Sequence, residues 1–431
     1  MPDSALTAGD RTWLRLRRDS ATGDAAATEL AWRALWTSRA LVWAAGVIAL
    51  WAIGKTARAT ALDPTRMTEP FHGAVANVLV GPAARWDSWW YLAIAHNAYF
   101  SRGSSAFFPL YPLLIRAGAN VGASPLLTGA VVSLTSLVGA LYLLQRLTER
   151  DLGESVARTT GLLCAFFPTA FFLSAVYPES LYLLLSLGAV YAARLDRWAV
   201  AAALAALAGA ARPNGVLIAV PLAIMYLYGP RARPPESASG PWWRPRYRVG
   251  TSALWLALVP VGLLAYLAYL GVAHGDALAP FGAQVFWDRH FAGPFGAVPA
   301  AIVAAAKGAY ALAAGHTHAL AVAEPLSADS HALLDFGFLA FAAGGVAACW
   351  RRVPFAYVAY AVAMLAQSLA YPNSHEPLMA FPRYVVVIFP LFMGIAARLD
   401  GRPRARLVTL AASGAGLAAL SGYWAIWGWV A

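Results

Sequence analysis

Apolar blocks about 17–25 residues long recur along the whole chain, with short polar segments between them. A helix of this length crosses about 30 Å of hydrocarbon and satisfies its own backbone hydrogen bonds there. The pattern predicts about eleven membrane spans, at roughly 38–55, 125–147, 158–176, 178–194, 197–211, 213–229, 250–272, 331–350, 354–371, 383–399 and 405–429. We therefore expect an all-α polytopic membrane protein.

Two further apolar blocks are expected to lie in the membrane interface as helices rather than to cross it. The block at about 107–120 is short and carries Pro109, Pro112 and Arg116. The block at about 297–314 is rich in alanine, contains Lys307 and lies between loops with Gly, Pro and His. The first of them belongs to a long loop that follows the first span.

Arginine-rich segments between the spans indicate which side of the membrane is inside. We expect residues 1–37 to form a loose, basic cytoplasmic tail and residues 38–431 to form a single integral membrane domain. The inward segments then include a cytoplasmic linker at 230–249, and the two long exterior loops are about 56–124 and 273–330. The conspicuous polar groups all fall on the exterior side.

Composition narrows the class of protein further. The 431 residues are 60% hydrophobic and 12% charged, with a mean hydropathy of +0.57, which excludes a set of soluble domains. The net charge of +11 suits topology and anionic lipid better than nucleic acid, which we do not expect as a partner. Cys164 and Cys349 lie inside apolar blocks and indicate neither a disulfide framework nor a thiolate metal site.

Asp87 is the first candidate for chemistry, because it is a carboxylate set among tryptophans and tyrosines just after the first span. A carboxylate half-buried against indole rings is suited to accept a proton. The alternative is structural: Asp87 would cap a helix that lies along the interface, with the tryptophans as an aromatic belt. The two roles are compatible.

Other candidates lie at the exterior ends of spans. Glu179, Arg212 and Arg383 each stand beside a proline, and the two arginines break the positive-inside trend. An anionic ligand explains such arginines, since the planar guanidinium binds two phosphate oxygens at once. The alternative is an ordinary charge that reaches the lipid headgroups. Asn214 would add a hydrogen bond, and Tyr384 follows Arg383.

Histidines and nearby polar residues give a weaker signal. His375 and Glu376 could orient a substrate or bind a metal, but a single His-Glu pair is weak support for a metal site. His316 with His318, and the run 287–290, offer no third ligand at a useful spacing. Within that run, Trp287 and Arg289 could line a substrate cleft. We expect no metal and no cofactor.

Five motifs appear in one order over residues 38–400, and together they resemble the PIG-V type mannosyltransferases. The motifs are Arg85-Trp86-Asp87 followed by Trp90-Tyr91, Phe108-Pro109-Leu110-Tyr111-Pro112, Tyr177-Pro178-Glu179-Ser180, Ala211-Arg212-Pro213-Asn214-Gly215, and Pro382-Arg383-Tyr384 with Phe389-Pro390. The resemblance implies a GT-C glycosyltransferase fold, with interfacial helices and the catalytic Asp in the first exterior loop.

The resemblance also implies a reaction. Mannose would move from polyprenyl-phosphate-mannose to an acceptor hydroxyl with inversion, with Asp87 as the base and Arg383 or Arg212 on the phosphate. The residues expected to bind substrate are Arg85, Trp86, Trp90, Tyr91, Glu179, Arg212, Asn214, His375, Glu376, Arg383 and Tyr384.

The partners and location follow from the same interpretation. The acceptor stays open between a glycan, a glycolipid and a protein, and membrane lipids are the other expected partners. The Ala- and Arg-rich composition suggests a bacterial plasma membrane, with the N-terminus in the cytoplasm and the active site on the exterior face. The alternatives are a transporter or flippase of lipid-linked sugars, which would be expected to show internal repeats or charges buried within spans, and a non-catalytic partner in an envelope complex.

Overall fold

Helices form the regular structure of this chain. The computed structural model describes residues 8–56, 58–236, 243–316 and 328–430. Within these ranges there are eighteen α-helices and no named strand, and residues Arg289 and Asn373 form an isolated antiparallel bridge. The all-α prediction is confirmed. His318 and parts of the predicted linker and second exterior loop lie outside the described residues.

The helices follow one another in chain order as α1 to α18. Their bounds are Ala8–Ala52 (α1), Arg58–Leu62 (α2), Ala74–Val80 (α3), Ser88–Asn97 (α4), Leu110–Asn120 (α5), Pro125–Leu152 (α6), Glu154–Ala165 (α7), Glu179–Arg194 (α8), Trp198–Ala211 (α9), Ala219–Tyr228 (α10), Val261–His274 (α11), Ala279–Phe286 (α12), Ala297–Ala313 (α13), Ala328–Cys349 (α14), Phe355–Ser368 (α15), Phe381–Val385 (α16), Phe389–Leu399 (α17) and Pro403–Ala425 (α18). Five 3-10 segments lie between them, at Gly81–Ala83, Gly103–Ala106, Ala170–Leu173, Pro213–Ile218 and Thr251–Leu258.

Five stretches of the described residues are long and apolar enough to cross a membrane as helices. They are Gly23–Ala52, Pro125–Leu152, Thr251–His274, Asp329–Cys349 and Pro403–Ala425. Six apolar helices are shorter than this, among them α9, α13, α15 and α17. These helices agree with a polytopic membrane protein, as the hydropathy pattern predicts.

Several of the remaining predicted spans are interrupted in the structure, and proline explains where. The predicted span 158–176 ends as an α-helix at Ala165, ahead of Pro168, and resumes only as the 3-10 segment Ala170–Leu173. The predicted span 383–399 is divided into α16 and α17 close to Pro390. Proline cannot donate the helical hydrogen bond, and it restricts the residue before it, so apolar composition alone overestimates helix length.

The N-terminal part differs from the loose tail expected for residues 1–37. Helix α1 is continuous from Ala8 to Ala52, so no helix boundary falls at residue 38. The segment is rich in Ala, Leu and Arg, which are strong helix formers, and polar composition therefore did not indicate an irregular chain. The cytoplasmic position of this segment stays a prediction. The two blocks expected to be interfacial form α5 and α13.

One buried arginine ties the first long helix to the interrupted segment. Arg39 on α1 is 4% exposed and donates hydrogen bonds to the carbonyls of Ala170 (2.6 Å) and Ala165 (2.9 Å) and to Ser174 Oγ (2.9 Å). These carbonyls have lost their helical partners where α7 ends, and a guanidinium can satisfy several of them at once. Helix α1 also packs along α18, and α6 packs between α7 and α8.

Candidate active site

A cleft of about 360 Å³ gathers charged and polar side chains that include six from four separate parts of the chain. Those in its lining include Asp87, Tyr91, Arg212, Asn214, Arg289 and Arg383. They come from the start of α4, the turn after α9, the loop after α12 and the short helix α16. Apart from Arg289, which was expected only to line a cleft, each was predicted from sequence as a catalytic or substrate-binding residue.

The turn before α4 sets the direction of the Asp87 side chain. Asp87 occupies the N-cap position of α4, but its side chain makes no capping hydrogen bond. Trp86 has a φ of +52°, an unfavourable left-handed conformation for a bulky residue. The backbone N–H of Asp87 donates to the Tyr177 hydroxyl at 2.9 Å, and that hydroxyl donates to the carbonyl of Arg85 at 3.4 Å. The Asp87 carboxylate is therefore free for a contact other than capping.

That contact is an ion pair, and it begins a chain of alternating charges. Arg383 Nη1 donates to Asp87 Oδ2, and Arg383 Nε lies 3.3 Å from Glu179 Oε1. Arg212 Nη1 donates to the same Glu179 oxygen at 2.9 Å. The Glu179 side chain is 1% exposed and does not line the cleft, whereas the Asp87 side chain is 20% exposed. Glu179 thus holds two arginines from a buried position outside the lining, and Asp87 faces the cleft.

Tyrosines surround these charges. Arg383 lies over the ring of Tyr177, and Arg212 lies over the ring of Tyr384 at 5.0 Å. Arg289 Nη1 donates to the Tyr384 hydroxyl at 3.3 Å. Burial, followed by the negative charge of Glu179, raises the pKa of Tyr91 well above its usual range, so this phenol stays protonated beside Asp87. The cleft therefore offers one partly exposed carboxylate, several fixed cations and the neutral phenol of Tyr91.

The structure places three residues of the first motif away from the cleft lining. Arg85 is fully buried and donates to the carbonyls of Ala425 (2.8 Å) and Ala84 (2.8 Å). Trp86 donates its indole N–H to the carbonyl of Gly428. Trp90 stacks on Phe107 with ring centroids 5.4 Å apart. These side chains hold the turn around Asp87 and lie outside the lining themselves.

The His-Glu pair is also outside the lining. The His375 side chain is 89% exposed, and its Nε2 lies 3.5 Å from the carboxylate of Asp288. Glu376 accepts a hydrogen bond from the Trp429 indole at 3.0 Å. Among the described residues, no group of three or more His, Cys, Asp or Glu side chains could hold a metal ion.

Two residues at the cleft were not predicted from sequence. Trp429 lines it, and its ring meets that of Trp86 edge-on at 4.7 Å. Tyr177 accepts a hydrogen bond from the backbone N–H of Asp87. Trp429 is the last residue of the predicted span 405–429 and carried no role of its own, and Tyr177 was noted only as part of its motif. Trp287 and Arg289, for which a place along a cleft was predicted, do line it.

This fold and this cleft define an all-α polytopic membrane protein with a charged site formed by loops at the helix ends. Residues 33–228 match the model of a family described as Mannosyltransferase (PIG-V). The resemblance to PIG-V type mannosyltransferases is thereby confirmed. The matched range includes Asp87, Glu179 and Arg212.

Curated proteins named as GPI mannosyltransferases are similar to part of the chain. GPI alpha-1,6-mannosyltransferase 2 of Homo sapiens is 29% identical over 171 residues, which is 37% of this chain and 35% of that protein. GPI mannosyltransferase 2 of Cryptococcus neoformans var. neoformans serotype D (strain JEC21 / ATCC MYA-565) is 32% identical over 161 residues, 34% of this chain and 38% of the relative. The chain thus spans little more than a third of the length of these relatives. No solved structure matches it.

Proposed function

We propose that this protein is an inverting glycosyltransferase that moves mannose from polyprenyl-phosphate-mannose to an acceptor hydroxyl, with Asp87 as the base. The observation that carries the proposal is the placement of Asp87: its carboxylate stands in the cleft beside fixed arginines and does not cap α4. The similarity to mannosyltransferases supports the sugar and the class of reaction. The GT-C fold is part of the same proposal.

The reaction needs one proton acceptor and one cationic surface. The acceptor oxygen forms a bond to the anomeric carbon from the face opposite the phosphate, while its proton passes to Asp87. The bond from the anomeric carbon to the phosphate oxygen breaks, and its electron pair stays on the phosphate. Negative charge grows there, so guanidinium groups already held in place stabilise the transition state more than the ground state. A phosphate leaves readily as an anion and needs no strong acid.

The rest of the cleft would serve recognition. Glu179 holds Arg212 and Arg383 in place, and Asn214 and Tyr384 stand in the lining as hydrogen-bonding groups for the ligand. The relatives' names contain GPI, a glycolipid, so a lipid-linked glycan is the acceptor class that we favour over a protein. We place the reaction at the outer face of the plasma membrane, in line with the arginine distribution along the chain.

Transfer of radiolabelled mannose by membranes that contain this chain tests the proposal. We expect Asp87→Asn at equal expression to lose at least about a hundredfold in rate, the usual scale for a removed general base. Asp400→Asn is the matched control, because Asp400 is exposed and, in the part of the chain that the structure describes, its side chain bonds only Ser155. Activity in wild type should survive a chelator.

Two results would count against the proposal. Equal rates in wild type and Asp87→Asn would remove Asp87 from the chemistry and direct attention to Glu179. No transfer by wild type to any of several acceptor extracts would remove the transferase and favour a transporter of lipid-linked sugars or a non-catalytic partner.

A further inference from the structure

The charges of the cleft are not balanced. The carboxylate of Asp87 lines it, that of Glu179 lies buried behind it, and Arg383 and Arg212 are paired with these two groups. Arg289 is the third arginine at the cleft, and no carboxylate of the described residues lies within ion-pair distance of it. Arg289 thus remains without a carboxylate partner. A partly buried cation without a partner is costly unless an anion binds beside it.

Arg289 is held firmly enough to act as a binding group. Its backbone N–H donates to the carbonyl of Gln284 at 2.9 Å, and it forms the isolated bridge with Asn373. Its Nη2 donates to the carbonyl of Met379 at 2.6 Å, while Nε is buried and has no partner in the described part of the chain. The guanidinium therefore keeps a defined position and still has hydrogen-bond donors to spare.

The neighbouring acid does not neutralise this arginine. Asp288 has a φ of +53°, and its carboxylate is directed to Ser374 Oγ at 3.3 Å and to His375 Nε2 at 3.5 Å. Adjacent residues with opposite charges would ordinarily be a plausible pair, but the left-handed turn separates them here. The positive charge of Arg289 is therefore available to the cleft.

Arg212 extends the same cationic surface. Arg289 donates to the hydroxyl of Tyr384, and the guanidinium of Arg212 lies 5.0 Å from the centre of the same ring. Within the described residues, the hydrogen bond to Glu179 is the only one that the Arg212 side chain makes. Two guanidinium groups thus flank one phenol, and both have unused N–H groups. This arrangement suits a phosphoryl group, whose oxygens accept several charge-assisted hydrogen bonds at once.

Part of the cleft wall is apolar. Leu263 of α11 and Pro280 and Phe281 of α12 line it, and Phe281 is 47% exposed. A ligand that joins a phosphate to a hydrocarbon chain would match both surfaces. Arg383, in contrast, is paired with Asp87 and Glu179 and has less capacity for a further anion.

We infer that Arg289, together with the hydroxyl of Tyr384 and the free N–H groups of Arg212, binds the phosphoryl group of the ligand, while Arg383 orients Asp87. This inference rests on the proposed function only for the identity of the ligand as a polyprenyl phosphate sugar. It assigns the charge of the leaving phosphate to Arg289 and Arg212, a point that the sequence motifs left between Arg383 and Arg212.

Binding of farnesyl phosphate to the detergent-purified full chain tests the inference without any transfer reaction, and inorganic phosphate is the second probe. We expect Arg289→Gln to weaken farnesyl phosphate binding about 10- to 100-fold, because a hydrogen bond between charged groups is lost. Arg289→Lys should recover part of the affinity, since an ammonium keeps the charge without the planar fork. Arg102→Gln is the control: Arg102 is exposed in the first predicted exterior loop, and its side chain forms no ion pair with any residue that the structure describes.

The two probes distinguish the sources of the phosphoryl group. Binding of both probes, each weakened by Arg289→Gln, supports a site for phosphoryl groups in general, and binding of farnesyl phosphate alone supports one for lipid-linked phosphate. The elution profile on size exclusion and the melting midpoint show whether each variant is folded. If Arg289→Gln does not fold, Tyr384→Phe, which removes the hydroxyl of the same site, is expected to weaken farnesyl phosphate about fivefold, as for one neutral hydrogen bond.

Unchanged affinity in folded Arg289→Gln, or no binding of either probe by wild type, overturns the inference. Failure of the proposed function looks different. A wild type that binds farnesyl phosphate through Arg289 but transfers no mannose refutes the transferase and leaves the phosphoryl site. A working transferase whose probe affinity does not change in Arg289→Gln refutes only the phosphoryl site.

Discussion

Replacement of Glu179 by glutamine removes a buried negative charge beside the cleft and keeps the shape of the side chain. It therefore tests whether the charge of Glu179 holds Arg212 and Arg383 in place. The Glu179 carboxylate is 1% exposed and accepts from Arg212 at 2.9 Å, with Arg383 Nε at 3.3 Å from the same oxygen. Two unit charges about 4 Å apart attract by about 4 kcal/mol at an effective dielectric constant of 20. Since desolvation offsets part of each attraction, we expect Glu179→Gln to lower the free energy of unfolding by about 3–5 kcal/mol, the range for a buried pair that loses one partner.

The loss should also appear in activity, because the two arginines would no longer be aligned. A misalignment that costs about 1.4 kcal/mol in the transition state lowers the rate tenfold, so we expect at least that loss in mannose transfer. The assay is a thermal melt of purified protein together with transfer at equal protein. Glu154→Gln provides the control, since Glu154 and Arg158 form an exposed pair on α7, worth less than about 1 kcal/mol. A variant at Glu179 that melts and reacts like wild type would refute the idea that this carboxylate organises the cleft.

Three further predictions concern the stability of the fold. A Cβ on Gly215 would clash with backbone atoms of α9, so Gly215→Ala should lower the melting midpoint and the transfer rate, whereas Gly344→Ala, with open space around it, should do neither. Arg39→Lys should destabilise the protein by about 3 kcal/mol in a melt, because an ammonium cannot reproduce its three long-range hydrogen bonds; an unchanged midpoint would contradict this. Burial raises the pKa of Asp196, but the hydrogen bond and charge of Arg231 outweigh it and leave the pKa below its usual 3.8. The contribution of Asp196 to stability is therefore present above pH 3.8 and is lost as the pH falls through the lower pKa of the folded state. The difference in melting midpoint between wild type and Asp196→Asn should then shrink from about pH 7 to about pH 3.

Sequence patterns indicated the class of fold and several members of the cleft for physical reasons. Long apolar blocks have few stable structures in a membrane other than helices. Asp87, Glu179, Arg212 and Arg383 stood out because charges are expensive at the ends of apolar helices and therefore conspicuous there. The structure brings these four side chains into one connected group, although they are far apart in the chain.

Other features depend on contacts that no local pattern contains. Arg85 stands two positions before Asp87 in the motif. The left-handed conformation of Trp86 between them turns the two side chains to different surroundings. Trp429 ends the predicted span 405–429, and only the folded chain shows that it reaches the cleft. The interruption of the predicted span 158–176 depends on Pro168 and on the hydrogen bonds that Arg39 supplies from another helix.

The cleft is assembled from both halves of the chain, and this division has a consequence for evolution. The range that matches the family model ends at residue 228, so it contributes Asp87, Glu179 and Arg212, whereas Arg289 and Arg383 lie beyond it. Relatives that share only the first half would inherit the carboxylates and could diverge in the cations that face them. Ligand preference could then drift among homologues through substitutions after residue 228, while the carboxylates stay the same.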